Sequence, residues 1–136
     1  MAKIDAAKIW SLNYRLLMTV ITSVASEIAA LWLETKDLFL LAELDEHPYP
    51  AELAATLCMP KPTVSVVIKR LEAAGFLRRE IDTNDLRRYR LLLTPSGRKV
   101  TTQGRALLSD AFAARLGRLS SAQQTELKSL LERMGA

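Results

Sequence analysis

The chain has 136 residues, 49% hydrophobic and 25% charged, enough for one compact domain with a real core and too few for two. That apolar content excludes disorder as the main state, and nineteen Lys and Arg against fifteen Asp and Glu leave a net charge of +4. A single Cys and a single His exclude an internal disulfide and a closed zinc site of the Cys/His kind.

The N-terminal segment carries Lys3, Asp5 and Lys8 and lacks a small-residue cleavage site, so it is a poor signal peptide. From Asp5 to about Ala30 there is no Pro or Gly, and Ile9, Leu16, Val20, Val24 and Ile28 recur at helical spacing. This pattern predicts one long amphipathic helix. The apolar stretch Leu16 to Leu33 is interrupted by Thr19, Thr22, Ser23, Ser26 and Glu27. It is too short and too polar for a membrane span, which points to a buried or partner-packed helix in a cytoplasmic chain.

A second helix fits Lys36 to Asp45, with Leu38, Leu41, Ala42 and Leu44 inward, until His47-Pro48-Tyr49-Pro50 breaks it. Ala51 to Leu57 reads as a brief helix, Cys58-Met59-Pro60 as a turn, and Lys61 to Ala74 as another helix. Val64, Val67, Ile68 and Leu71 form its inner face, and Gly75 is its expected left-handed stop. Two helices joined by so short a turn form a helix-turn-helix unit.

The period then changes. Phe76 to Ile81 and Arg88 to Leu93 read as two strands joined by the turn residues Asp82-Thr83-Asn84-Asp85. Arg88, Arg90 and Leu92 alternate with Tyr89, Leu91 and Leu93, giving a largely basic face and an apolar one. Thr94 and Pro95 have the chemistry of a helix start, and that helix runs to about Leu116. Ser120 or Ser121, each with a Gln three residues on, caps a last helix with the stripe Leu127, Leu130, Leu131 and Met134. The expected fold is mainly α, a winged helix-turn-helix with a small two- to three-stranded antiparallel wing. Its parts are an N-terminal dimerisation helix (1–33), the winged unit (34–94) and C-terminal dimerisation helices (95–136), in one domain spanning 1–136.

Charge is unevenly spread. Between Lys61 and Lys99 ten basic residues face four acidic ones, a net +6, while the other 97 residues carry −2. A solvated outer face is the plain reading of such a run. Concentration on the second helix and wing favours nucleic-acid contact instead, because that is where groove and phosphate contacts are made.

These residues resemble the MarR-type winged helix-turn-helix transcriptional regulators. Around the second helix, Thr63-Val64-Ser65 leads to Leu71-Glu72-Ala73-Ala74-Gly75-Phe76-Leu77; in the wing, Asp85-Leu86-Arg87 is followed by Leu93-Thr94-Pro95-Ser96-Gly97. Together with the order of flanking helices, the similarity spans essentially the whole chain. It departs from the family at Pro60, where a Ser-like cap is common, and at Val66, where Arg or another polar residue is frequent.

The resemblance implies a homodimeric, sequence-specific repressor binding a near-palindromic operator in double-stranded DNA. It also allows release by a small-molecule effector, and it implies no cofactor, metal or catalytic residue. Lys61, Pro62, Ser65, Val66, Lys69 and Arg70 face outward once the inner stripe is buried. Thr63, Ser65, Val66 and Lys69 are candidate base readers, Val66 through a thymine methyl. Lys69 and Arg70 suit phosphate better than bases, and Thr63 suits capping of its own helix equally well. Arg87 resembles the family's tip Arg that reaches the minor groove. Arg88 and Arg90 add charge beside it, and Asp85 braces the loop or forms a plain surface pair with Arg87.

Cys58 reads as a buried structural thiol, and His47 has no partner nearby in sequence. Trp10, Tyr14, Trp32 and Phe39 read as packing residues before pocket residues. Two other classes compete. A winged-helix interaction module without DNA binding should have a neutral or acidic wing, and an enzyme should show a phosphate loop, metal cluster or nucleophile–base set.

Overall fold

The computed structural model describes residues 3–135. It divides into two compact units, Ala25–Ala106 and a second composed of the two chain ends, up to Val24 and from Leu107. The expected winged segment, 34–94, lies inside the first.

In the unit of the chain ends, α1 covers Ala6–Ser23 and is capped by Asp5, whose carboxylate accepts from the Lys8 amide at 3.1 Å. The single helix expected to Ala30 is interrupted at Val24 (φ −116°, ψ 4°) and resumes as α2, Ala25–Ala29. Its last turn contains two hydroxyls that bond backward: Thr22 Oγ1 to the Met18 carbonyl and Ser23 Oγ to the Val20 carbonyl at 2.7 Å. Such bonds compete with the helical ladder and bend it. The last helix, α7 (Ser121–Arg133), opens on a reciprocal box in which the Gln123 amide donates to Ser120 Oγ and the Ser120 amide to Gln123 Oε1.

This unit buries little. Val20 and Val24 are buried, whereas Ile4, Ile9, Trp10, Leu12, Tyr14, Leu17, Leu130, Leu131 and Met134 are exposed. Phe112 and Leu116 of α6 (Pro95–Leu116) line a groove of about 400 Å³ with Leu127 and Leu131. Of the two kinds of packing open to Trp10 and Tyr14, core or dimer, the core is not the one observed, because α1 has apolar side chains on more faces than the chain covers. Trp32, in the other unit, is likewise 86% exposed, with φ at +65°. It occupies the left-handed position after α2, where a bulky residue costs about 1–2 kcal/mol.

The unit Ala25–Ala106 holds nearly all of the core. Helices α3 (Thr35–Glu43), α4 (Pro50–Leu57) and α5 (Lys61–Ala73) contribute Leu38, Leu40, Leu41, Leu53, Val64, Val67, Ile68 and Leu71, all buried. Each contributes about 1.5–3 kcal/mol by leaving water. The chain bends by 116° between α4 and α5, within the range of a helix-turn-helix. Gly75 has φ +80° and ends α5 as expected. Strands β1 (Leu77–Ile81) and β2 (Tyr89–Leu93) pair antiparallel in a two-stranded sheet, Leu77 opposite Leu93 and Ile81 opposite Tyr89. Each strand starts one residue later than its pattern predicted, and the later start of β2 lengthens the connecting loop by one residue.

The join between wing and α6 explains the Leu-Thr-Pro-Ser-Gly sequence physically. Thr94 Oγ1 accepts from the Gly97 amide at 3.0 Å, capping α6, and donates to the Gly75 carbonyl at 2.6 Å. Ser96 Oγ donates to the same carbonyl at 2.9 Å. Gly97 lies so close to the Phe76 carbonyl that a Cβ would overlap it.

Two expectations about reactive residues change. Cys58 is exposed, because it adopts the left-handed cap after α4 (φ 53°, ψ 42°), which turns it out of the core. His47 does have neighbours: its Nδ1 lies 3.7 Å from Glu52 Oε2, with Glu43 and Glu46 close by. Among the described residues no single helix is long and apolar enough to cross a membrane.

Candidate nucleic-acid interface

The outer face of α5 follows from burial of the inner one. With Val64, Val67, Ile68 and Leu71 buried, Lys61, Ser65, Val66 and Lys69 are exposed, Val66 by 61%. Thr63 is half-buried, and no side chain caps the helix, which starts after Pro60. The capping alternative for Thr63 is thus not realised.

Arg70 does not share this outward stripe. Its guanidinium bonds the carboxylate of Asp37, a residue only 2% exposed, and lies 3.7 Å from Glu34 Oε2. Asp37 also accepts from the Glu34 amide at 2.7 Å, so this one carboxylate ties the start of α3 to α5. The Asp37 carboxylate holds Arg70 even more firmly charged than usual. A buried carboxylate is costly without a partner, so Asp37 holds the Arg70 guanidinium even though the arginine side chain stays 40% exposed.

The wing carries the remaining cations. Arg87 is 92% exposed at its side chain, and its Nε donates to Asp85 Oδ1 at 3.2 Å. The Arg87 amide donates to the same oxygen at 3.1 Å, so Asp85 holds the corner of the loop in place. Arg88 lies 3.7 Å above the Tyr49 ring, a cation–π contact that orients it without neutralising it. Arg90 is exposed on β2. Arg79 is otherwise engaged, since its Nε donates to both Glu72 oxygens at 3.0 and 3.2 Å. Among the described residues Lys61, Lys69, Arg88 and Arg90 have no carboxylate within ion-pair distance.

Two residues that position the wing were not apparent from sequence. Tyr49, at the cap of α4, donates its hydroxyl to Asp82 Oδ2 at 2.8 Å, and the Asn84 amide donates to Asp82 Oδ1 at 2.9 Å. These two donors, helped by the Arg88 charge, hold the Asp82 carboxyl below the ordinary range. The Leu91 amide donates to the Pro48 carbonyl at 2.8 Å, anchoring β2 to the same linker. The only sequence signals were a helix-breaking Pro-x-Pro and a turn aspartate, neither of which specifies a partner.

A helix-turn-helix whose second helix and hairpin present uncompensated cations on exposed faces defines the class: a winged helix-turn-helix module. Residues 33–89 match the model of the MarR family. Over 134 residues the chain is 29% identical to the HTH-type transcriptional repressor Rv2887 of Mycobacterium tuberculosis, covering 97% of this chain and 96% of that one. The crystal structure of that MarR family protein in complex with DNA superposes with a TM-score of 0.76 at 26% identity, covering 98% of this chain and 100% of the other. Its complex with p-aminosalicylic acid gives 0.74 at 28% identity, with 93% and 97% covered. In its winged helix-turn-helix and along nearly its whole length, the chain is similar to MarR-family proteins.

Proposed function

We propose that this protein is a homodimeric, sequence-specific DNA-binding transcriptional repressor, acting in the cytoplasm by binding and not by catalysis. It takes a near-palindromic operator and is released by a small ligand. The observation that carries the reading is the set of cations on α5 and the wing left without carboxylate partners among the described residues. Neutralising phosphates is the role such a set serves, with counterion release as the driving force. The similar mycobacterial repressor, solved with DNA and with p-aminosalicylic acid, supports both halves of the proposal.

In this reading α5 enters the major groove, with Thr63, Ser65 and Val66 at base edges and Lys61 and Lys69 toward phosphates. Arg87 reaches the minor groove from the wing, with Arg88 and Arg90 on the backbone and Asp85 bracing the loop. Arg70 acts at one remove, by holding α5 against α3. The exposed apolar residues at the chain ends, within 1–33 and 95–136, pair with those of a second copy. Two recognition helices then stand about 34–36 Å apart, one turn of DNA. The test is a mobility-shift titration at several salt concentrations on duplexes selected from the source genome. Tight, steeply salt-dependent binding to a near-palindrome is expected, and no salt-sensitive binding to any duplex overturns the reading.

A further inference from the structure

The wing loop carries an apolar side chain that phosphate binding does not use. Leu86 is 79% exposed, although leucine gains free energy by leaving water. It does not sit on a loose loop. The Arg88 amide donates to the Asp85 carbonyl at 3.0 Å, making Asp85 to Arg88 a β-turn with Leu86 and Arg87 at its corner. The bond from the Arg87 amide to Asp85 Oδ1, 3.1 Å, locks the same corner a second time. Below it, Asp82 accepts from Asn84 and Tyr49 and fixes the loop to the end of the sheet and the cap of α4. Corners of this kind usually hold Gly, Pro, Asn, Asp or Ser for their turn chemistry, and Leu offers none. The loop therefore presents one apolar and one cationic side chain side by side, in a fixed frame. Arg87 uses only Nε on Asp85, leaving its two terminal nitrogens without a partner among the described residues.

The geometry points to Leu86 as a specificity-determining residue that, with Arg87, selects A·T over G·C base pairs in the minor groove flanking the bases met by α5. This rests on the DNA-binding reading above. The minor groove, roughly 6 Å wide, is too narrow for a two-stranded ribbon but admits the side chains of a hairpin corner. Its floor offers only acceptors at an A·T pair, whereas a G·C pair adds the guanine amino donor. A guanidinium has donors and no acceptor, so it matches the A·T floor. Leucine pressed against a guanine amino group leaves that N–H dry and unpaired, which is where the penalty arises. A narrow A·T groove also carries the more negative potential that draws an arginine in. Apolar side chains beside cations are the general means by which proteins enter this groove.

The test uses the full chain and a duplex selected from a random library, remade with four flanks: A·T, G·C, inosine·C and 2,6-diaminopurine·T. Inosine removes the minor-groove amino group from a G·C-like pair, and diaminopurine adds one to an A·T-like pair. The A·T and inosine·C flanks are expected to bind alike, and the other two about tenfold more weakly. Leu86→Ser should compress that gap to about twofold without altering the salt dependence, and Leu86→Met should keep it. The inference is overturned if inosine·C behaves like G·C, if the wild-type chain ignores the flanks, or if Leu86→Ser discriminates as before. Failure of the wild-type chain to bind any duplex would remove the DNA-binding reading and this inference together.

Discussion

The Tyr49 hydroxyl donates to Asp82 across 2.8 Å, joining the cap of α4 to the end of β1. This bond, with Arg88 stacked on the same ring and the Leu91 amide on the Pro48 carbonyl, fixes where the wing stands relative to the helix-turn-helix. Tyr49→Phe should keep the fold and leave Asp82 its Asn84 donor. The expected outcome is weaker DNA binding with an unchanged salt slope, because no phosphate contact is lost. A mobility-shift series over salt reads both quantities.

The same bond sets a pH dependence. The Asn84 amide and the Tyr49 hydroxyl lower the Asp82 pKa, so Asp82 contributes stability above the ordinary carboxylate value and loses it as pH falls through the depressed one. Tyr49 is shifted upward by its bond to Asp82, so its contribution is complete below the ordinary tyrosine value and vanishes only above the raised one. Urea midpoints of wild type and Asp82→Asn should therefore differ by a constant amount from pH 5 to pH 8 and converge below about pH 4. A gap that widens on acidification would contradict this assignment.

Arg70 and Arg87 should behave differently although both are arginines near the interface. Arg87→Ala should weaken binding to all sequences and lower the salt slope by about one. Arg70→Ala should leave Asp37 buried without its partner and destabilise the fold by about 1–3 kcal/mol, the lower part of the range for broken pairs because the arginine itself is partly solvated. Chemical denaturation separates them, since Arg87→Ala should unfold like wild type.

Gly97→Ala tests the join between wing and α6. The added methyl overlaps the Phe76 carbonyl, which is backbone and cannot swing aside. A loss of about 1–3 kcal/mol is expected from overpacking, read as a lower urea midpoint. Gly75→Ala has open space around the new methyl but a φ of +80°, so its cost is conformational and smaller, about 1 kcal/mol.

Assembly has its own measurement. Light scattering at micromolar concentration should give twice the chain mass of 15.2 kDa. Glutamate at Leu127 and Leu131 together should return the monomer mass and abolish specific DNA binding, because a single recognition helix meets only half a site. A wild-type mass of one chain would exclude the dimer.

Short-range chemistry was legible in the residues alone. The inner stripe of α5, the Gly75 stop, the Thr94-Pro95 helix start and the Ser120–Gln123 box each depend on residues within one or two turns of each other, and each stands where its pattern placed it. Hairpin and helix-turn-helix followed from the same local signals. What those signals could not carry is which polar groups meet across the fold. Asp37 and Arg70 lie 33 residues apart, as do Tyr49 and Asp82. No periodicity links them, and only the approach of α3 to α5, and of the linker to the wing, gave Arg70 and Asp82 their partners. Cys58 left the core for a similar reason: its backbone had to reverse after α4 before Lys61 could begin α5. An outward side chain is decided by what its neighbours bury, and that is settled only when the elements close on one another.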